Sequence, residues 1–380
     1  TIPRVYLGKL PIMVQSDLCI LKGLTAHRRY YMGECRNDHG GYFIIDGKEK
    51  VIISQEKFAD NLINVRVLGV EGETSGEVYT HSADIRTISE DPSKPVRTMS
   101  VRVQASTPSH THGNVVVLIP NVRSPVPLFI VMRALGIESD KAILEHCLYD
   151  LDANDSLLEL FVPSVHDANR VFTQQQALAF IGMLTKLGND KNATPENTII
   201  CAHEILSDYF LPQVGDMNYQ HKAYMLGYIV NKLVRVVAKI DLPTDRDSFR
   251  NKRVDTSGAL MYDLFREYYK LQFKTIRQSI DKMYYYDDAG KYQGGNFINL
   301  LNPGTYQTHF KELVLEQGIR RAFKGRWGST TQTKRVGIVQ DVNRLSHNSF
   351  ISHLRKINLE LGSETLVKPR LLHSSQWGVI

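Results

Sequence analysis

The strongest constraint on how this chain can fold is a change of apolar period near Pro127. Over roughly the first 120 residues the apolar positions alternate, as a half-buried strand requires. Ile63, Val65 and Val67 are separated by polar neighbours, and Val101 and Val103 repeat the pattern. Tyr42-Phe43-Ile44-Ile45 and Val51-Ile52-Ile53 flank Asp46-Gly47, a dipeptide suited to the positive φ angles of a tight hairpin turn. Gly113 and Asn114 introduce a last strand, Val115 to Ile119, before Pro120.

Beyond Pro127 the spacing becomes helical. Thr194-Pro195-Glu196 combines an N-cap residue, Pro at the first helical position and an acid in the first turn. Leu226, Ile229, Leu233, Val236 and Ile240 follow one another at three and four residues, which puts all five on one helix face. Met261, Leu264, Tyr268, Leu271 and Thr275 predict a second long helix, and Tyr284 to Gly295 reads as a loop. At 380 residues the chain exceeds the usual single core. The expectation is an α+β protein: a strand-rich domain, a mainly helical domain and a mixed basic tail.

The charge is placed unevenly. From Gln317 to Ile380 eleven basic residues face three acids, +8 within a chain of net charge +6, so the preceding residues sum to −2. Positive potential gathered in the last sixth of a chain suits contact with a polyanion, or a solvated basic surface. No stretch approaches the roughly 18–20 apolar residues of a membrane span. Cys19, Cys35, Cys147 and Cys201 form no CxxC pair, which removes a zinc site or disulfide framework and fits a reducing compartment. The chain opens at Thr1 without Met and reads as an excised piece.

Candidate chemistry is sparse. Asp245-Arg246-Asp247 could hold a metal, but Arg246, Arg250, Lys252 and Arg253 lie alongside, and mixed charges this close usually pair with each other. His110 and His112 are the only close pair among thirteen histidines and lack a third ligand. No phosphate loop, Ser/His/Asp order or Cys/His pair emerges. The residues therefore point to no metal and no catalytic group. In the tail, Lys324, Arg326, Lys334 and Arg335 flank a polar loop beside Trp327, and Arg355, Lys356, Lys368 and Arg370 flank another. Cations beside loops and a Trp suit phosphate contact and base stacking. A basic surface with an ordinary core Trp is the competing reading.

A family resemblance bears on this choice. Gly8-Lys9-Leu10-Pro11-Ile12-Met13, Gly33-Glu34-Cys35, Gly40-Gly41-Tyr42-Phe43-Ile44-Ile45 and Gln55-Glu56 resemble the protrusion of the second-largest, beta-type subunit of multisubunit DNA-directed RNA polymerase. Phe129 to Gly136, Ile143-Leu144-Glu145-His146, Leu211 to Gly215, Lys222 to Tyr228 and Asp245 to Asp255 resemble its lobe. Val339-Gln340-Asp341-Val342-Asn343-Arg344-Leu345, Ser352-His353-Leu354-Arg355, Lys368-Pro369-Arg370 and His373 to Gly378 are similar to its fork.

The resemblance implies a protrusion over 1–122 and 299–340, interrupted by a lobe over 123–298, with the start of the fork over 327–380. Trp327 to Arg335 and Glu360 to Lys368 become the two fork loops, and Gln340 and Lys356 take positions that face the RNA–DNA hybrid. The family usually has Arg where Lys356 stands, and Gly362-Ser363-Glu364 replaces a more basic stretch. The family's chain continues past Gly378 into hybrid-binding and clamp-anchoring regions. Its catalytic Mg²⁺ is held mainly by an Asp cluster in the largest subunit, so none is expected on this piece. Implied partners are the largest and other polymerase subunits, the DNA template and the RNA–DNA hybrid, and no membrane. The resemblance implies a nuclear or cytoplasmic setting, and Thr244-Asp245-Arg246-Asp247-Ser248 is similar to polymerases of large DNA viruses, for which the setting is a viral factory or virion. The alternative is a non-enzymatic nucleic-acid-binding or scaffold module.

Overall fold

The computed structural model describes residues 6–68, 78–91, 94, 96–105, 113–185, 194–287, 300–301, 306–310, 313–329, 335–359 and 372–377. Its strands, in chain order, are β1 (Phe43–Ile45), β2 (Lys48–Ile52), β3 (Ser54–Phe58), β4 (Ile63–Val67), β5 (Tyr79–Thr87), β6 (Arg97–Gln104), β7 (Val115–Leu118), β8 (Val126–Pro127), β9 (Lys252–Asp255), β10 (Val339–Asp341) and β11 (Ile357–Leu359). Mixed sheets and helices make the fold α+β, as the change of period implies. Backbone contacts divide it into two compact units, 1–58 with 252–372, and 59–251 with 373–380.

In the first of these, Asp46-Gly47 forms the expected turn. Both residues have positive φ (50° and 78°), and Phe43 pairs with Lys50, Ile45 with Lys48. β10 adds antiparallel to β2, with Gln340 opposite Val51. A second sheet has β3 at its centre, antiparallel to β9 and parallel to β11. The core joins Phe43 and Ile52 to Leu260, Leu264 and Tyr268 of the helix Ser257–Lys282 and to Leu315, Ile319 and Phe323 of the helix Leu313–Phe323. Leu264 and Tyr268 are buried as expected and Met261 packs partly buried beside them, but the buried face also takes in Leu260 and Gln272, and Leu271 is exposed. Gly318 makes the helix pair possible, because a Cβ there would lie 2.3 Å from the Tyr268 ring. Met283–Asp287 continues the long helix as a π turn, so the expected loop does not begin at Tyr284.

The other unit carries a five-stranded antiparallel sheet in the order β4-β5-β6-β7-β8. Val65, Val101, Val103, Val115 and Val117 turn inward into a core shared with the helices Leu128–Ala134, all of whose residues are buried, and Tyr219–Val237. Val67 is exposed, so the alternation holds only through Val65 on that edge strand. Thr194 caps Pro195–Asp208 as expected, accepting from the Asn197 N–H. In Tyr219–Val237 the positions Leu226, Ile229, Leu233 and Val236 are buried, while Ile240 lies past the helix end and is 53% exposed. Lys239, at φ 60°, turns the chain away before Ile240 can join the stripe. The sheet therefore shares its core with the helices that follow it. Contacts cut the chain at 58/59, 251/252 and 372/373.

Candidate nucleic-acid interface

The basic tail resolves into residues that the fold occupies and residues that it leaves open. Lys324 Nζ lies 3.0 Å from Asp46 Oδ2, and Arg320 takes the other oxygen of the same carboxylate. These hydrogen bonds, Arg320 first, hold the Asp46 carboxyl down at about 2. Arg326 is exposed just beyond the helix Leu313–Phe323. Arg335 donates its backbone N–H to the Trp327 carbonyl at 2.7 Å, and 330–334 of the first expected loop lie outside the described residues. Lys334, Lys368 and Arg370, the stretch Glu360 to Lys368, and His110 with His112 lie outside the described residues.

Trp327 does not stand free beside the loop. It is 5% exposed and meets Phe323 edge-on at 6.0 Å, within the core that also holds Phe43 and Tyr268. Base stacking by Trp327 is therefore replaced by core packing, because the indole is covered on the side a base would need.

Gln340 and Lys356, sixteen residues apart in sequence, come together. Gln340 lies on β10, and Lys356 follows the helix His347–Leu354, next to Arg355. Gln340, Arg344, Ser349, Ser352, His353 and Lys356 line one open groove of about 950 Å³. Ser346 caps the helix through a reciprocal pair with Ser349, which fixes its entry and aims its last turn at β10. Arg355 and Lys356 are both exposed. Arg344, by contrast, is held from behind: Glu49 accepts from it twice, at 2.8 and 2.9 Å, and its guanidinium lies over Tyr42 (5.0 Å) and Phe350 (4.2 Å). Asp341 pairs with Lys50, whose hydrogen bond lowers the carboxyl's pKa.

Within the groove, His353 Nδ1 lies 3.2 Å from the Asn343 backbone nitrogen and His353 Nε2 lies 3.0 Å from Gln340 Oε1. Gln340 Nε2 donates to the Gly337 carbonyl at 3.1 Å. Burial, then the nearby Lys356 ammonium, push the His353 pKa below its ordinary value. Arg344 and His353 were not singled out as site residues from the sequence. His353 lies three residues before Lys356, but only the fold brings both to Gln340.

The acidic triplet follows the structural reading with a partner of its own. His373 Nε2 lies 2.6 Å from Asp245 Oδ2, and Asp245 Oδ1 accepts from the Asp247 N–H at 3.1 Å. Arg246, Asp247, Arg250 and Arg253 are all engaged in interactions, and Lys252 pairs with Glu56. Among the described residues no three His, Cys, Asp or Glu side chains group as metal ligands. Nor is any described helix long and apolar enough to cross a membrane.

The chain belongs to the RNA polymerase beta subunit family, whose model matches residues 1–297. Among curated relatives it is 35% identical to DNA-directed RNA polymerase II subunit 2 of Arabidopsis thaliana, over 99% of this chain and 30% of that protein. It is 33% identical to DNA-directed RNA polymerase II subunit RPB2 of Schizosaccharomyces pombe, again over 99% of this chain and 30% of the relative. Its identity to DNA-directed RNA polymerase subunit Rpo2 of Saccharolobus solfataricus is 32%, with the same coverage of 99% and 30%. The chain thus spans about 30% of the length of the relatives it matches.

Proposed function

We propose that this chain is part of a DNA-directed RNA polymerase and lines the path of the RNA–DNA hybrid without carrying the catalytic metal. The observation that carries the reading is the groove that unites Gln340 with Lys356 inside the segment of charge +8. A phosphate backbone needs mobile cations held at an open surface, and Lys356 with Arg355 answers that need. Arg326, Arg335, Lys334, Lys368 and Arg370 extend the same positive stretch. Lys at 356 supplies a point charge instead of the bidentate fork of Arg.

On this reading 1–122 and 299–340 form the protrusion, 123–298 the lobe beside downstream DNA, and 327–380 the start of the fork. Template-directed nucleotide addition is a property of the whole assembly. Mg²⁺ held mainly by the largest subunit would supply the charge stabilisation for phosphoryl transfer there. The partners are the largest and other polymerase subunits, template DNA and the hybrid. Its place is the nucleus or the cytoplasm, or a viral factory or virion.

The test is the lifetime of elongation complexes across a salt series, in the assembled polymerase carrying Lys356→Glu or Lys141→Glu. Lys141 is an exposed lysine near Glu145, 3.9 Å away, outside the basic segment. The expected result is a shorter lifetime for Lys356→Glu, with a salt slope shallower by about one unit for the lost phosphate contact. Lys141→Glu should do less. Equal lifetimes and slopes for wild type and Lys356→Glu would remove Lys356 from the hybrid path.

A further inference from the structure

A line of three hydrogen bonds crosses the groove between two backbone groups of fixed polarity. At one end is the Asn343 N–H, which can only donate. Its position is set by the Asn343 side chain, whose Oδ1 accepts from the Leu345 N–H at 3.0 Å and from Ser349 Oγ at 3.2 Å. At the other end is the Gly337 carbonyl, which can only accept. The Asn343 N–H faces His353 Nδ1 at 3.2 Å, so Nδ1 carries a lone pair and the neutral ring has its proton on Nε2. The Gly337 carbonyl faces the Gln340 side chain at 3.1 Å, so the NH₂ of that amide points to it and Oε1 points to His353. His353 Nε2–H then donates to Gln340 Oε1 at 3.0 Å. Each assignment forces the next, and the two ends agree. Burial and the Lys356 ammonium both favour the neutral ring that this arrangement requires.

We infer that His353 is a positioning residue: as the Nε2–H tautomer it fixes the amide of Gln340 in one of its two flipped orientations within the groove. The held amide keeps one N–H and one lone pair uncommitted by these bonds, a donor and acceptor in fixed order. Without His353 the amide is anchored only at Gly337, and its oxygen loses the partner that defines which way it faces. The inference rests on the reading that Gln340 faces the hybrid.

The experiment uses the assembled polymerase and measures elongation-complex lifetime for His353→Gln, His353→Asn, Gln340→Ala and the Gln340→Ala/His353→Asn double variant. A Gln at 353 places its Nε2–H the same number of bonds from Cα as the imidazole Nε2–H, so it keeps the donor. Asn at 353 reaches only as far as Nδ1 and loses it. The expected result is a lifetime shortened on the order of 2–10-fold by His353→Asn, the worth of one hydrogen bond. His353→Gln should restore the wild-type value, and His353→Asn should add nothing once Gln340 is Ala. A general packing role would give Gln and Asn the same loss, and that outcome overturns the inference. So does a short lifetime for Gln340→Ala with a normal one for His353→Asn, which leaves the hybrid-facing reading standing. Normal lifetimes for Gln340→Ala and Lys356→Glu together overturn both.

Discussion

Trp327→Ala is expected to cost about 3–5 kcal/mol of folding stability, the range for truncating a buried aromatic. The indole closes one side of a core built from Phe43, Tyr268, Ile319 and Phe323, each buried. Its removal leaves a cavity between the helices Ser257–Lys282 and Leu313–Phe323, where Gly318 already brings the backbone against the Tyr268 ring and leaves little room to relax. The chain has two tryptophans, and the other, Trp377, is 73% exposed. Fluorescence therefore separates them. Wild type should show a blue-shifted component that vanishes in Trp327→Ala, and denaturant midpoints should give the loss of stability. Were Trp327 instead a stacking platform, the variant would keep wild-type stability and lose only nucleic-acid binding.

A comparable loss is expected at a buried ion pair. Lys252 Nζ lies 3.2 Å from Glu56 Oε1, with the two side chains 5% and 4% exposed, and the ammonium sits 3.8 Å over the Phe58 ring. β3 and β9 carry these groups, with Lys252 opposite Phe58 and Glu56 opposite Val254, in the sheet that also holds β11 directly after Lys356. Lys252→Met removes the ammonium that faces the buried Glu56 carboxylate and should cost about 3–5 kcal/mol. Replacing both members by apolar residues, Glu56→Leu with Lys252→Met, should recover much of that loss, since neither member of the pair is then buried without the other. Chemical denaturation of the single and double variants measures this. A single variant within about 1 kcal/mol of wild type would mean that the carboxylate is reached by solvent.

Local chemistry was legible where a residue type dictates its own backbone. Asp46-Gly47 and Thr194-Pro195 announce a turn and a helix start, and both stand where the sequence puts them. Periodicity was a weaker guide at its ends. It carried the Tyr219–Val237 stripe on to Ile240, because spacing does not register a residue such as Lys239 that leaves the helical region. It also favoured Leu271 over Gln272, because an apolar pattern does not predict a buried amide.

Charge counting found the basic segment but not its division. Lys324 is held by Asp46, Arg344 by Glu49, and Lys356 is exposed, according to partners some three hundred residues away for the first two. The unit boundaries were hidden for the same reason. β2 and β3 pair with strands about two hundred to three hundred residues further along the chain, and no local pattern encodes such a pairing. The resemblance picked out Gln340 and Lys356, and the groove they share came only from the fold.

The central claim is that the open groove at Gln340 and Lys356 faces nucleic acid in an assembled polymerase. A short photo-crosslinker carried at position 356, with position 141 as the comparison, tests it most directly when irradiated in a stalled elongation complex with labelled RNA and template. The account predicts crosslinks from 356 to the RNA or template strand of the hybrid, and far fewer from 141. Crosslinks from 356 to protein alone, in complexes still able to extend their RNA, would contradict it.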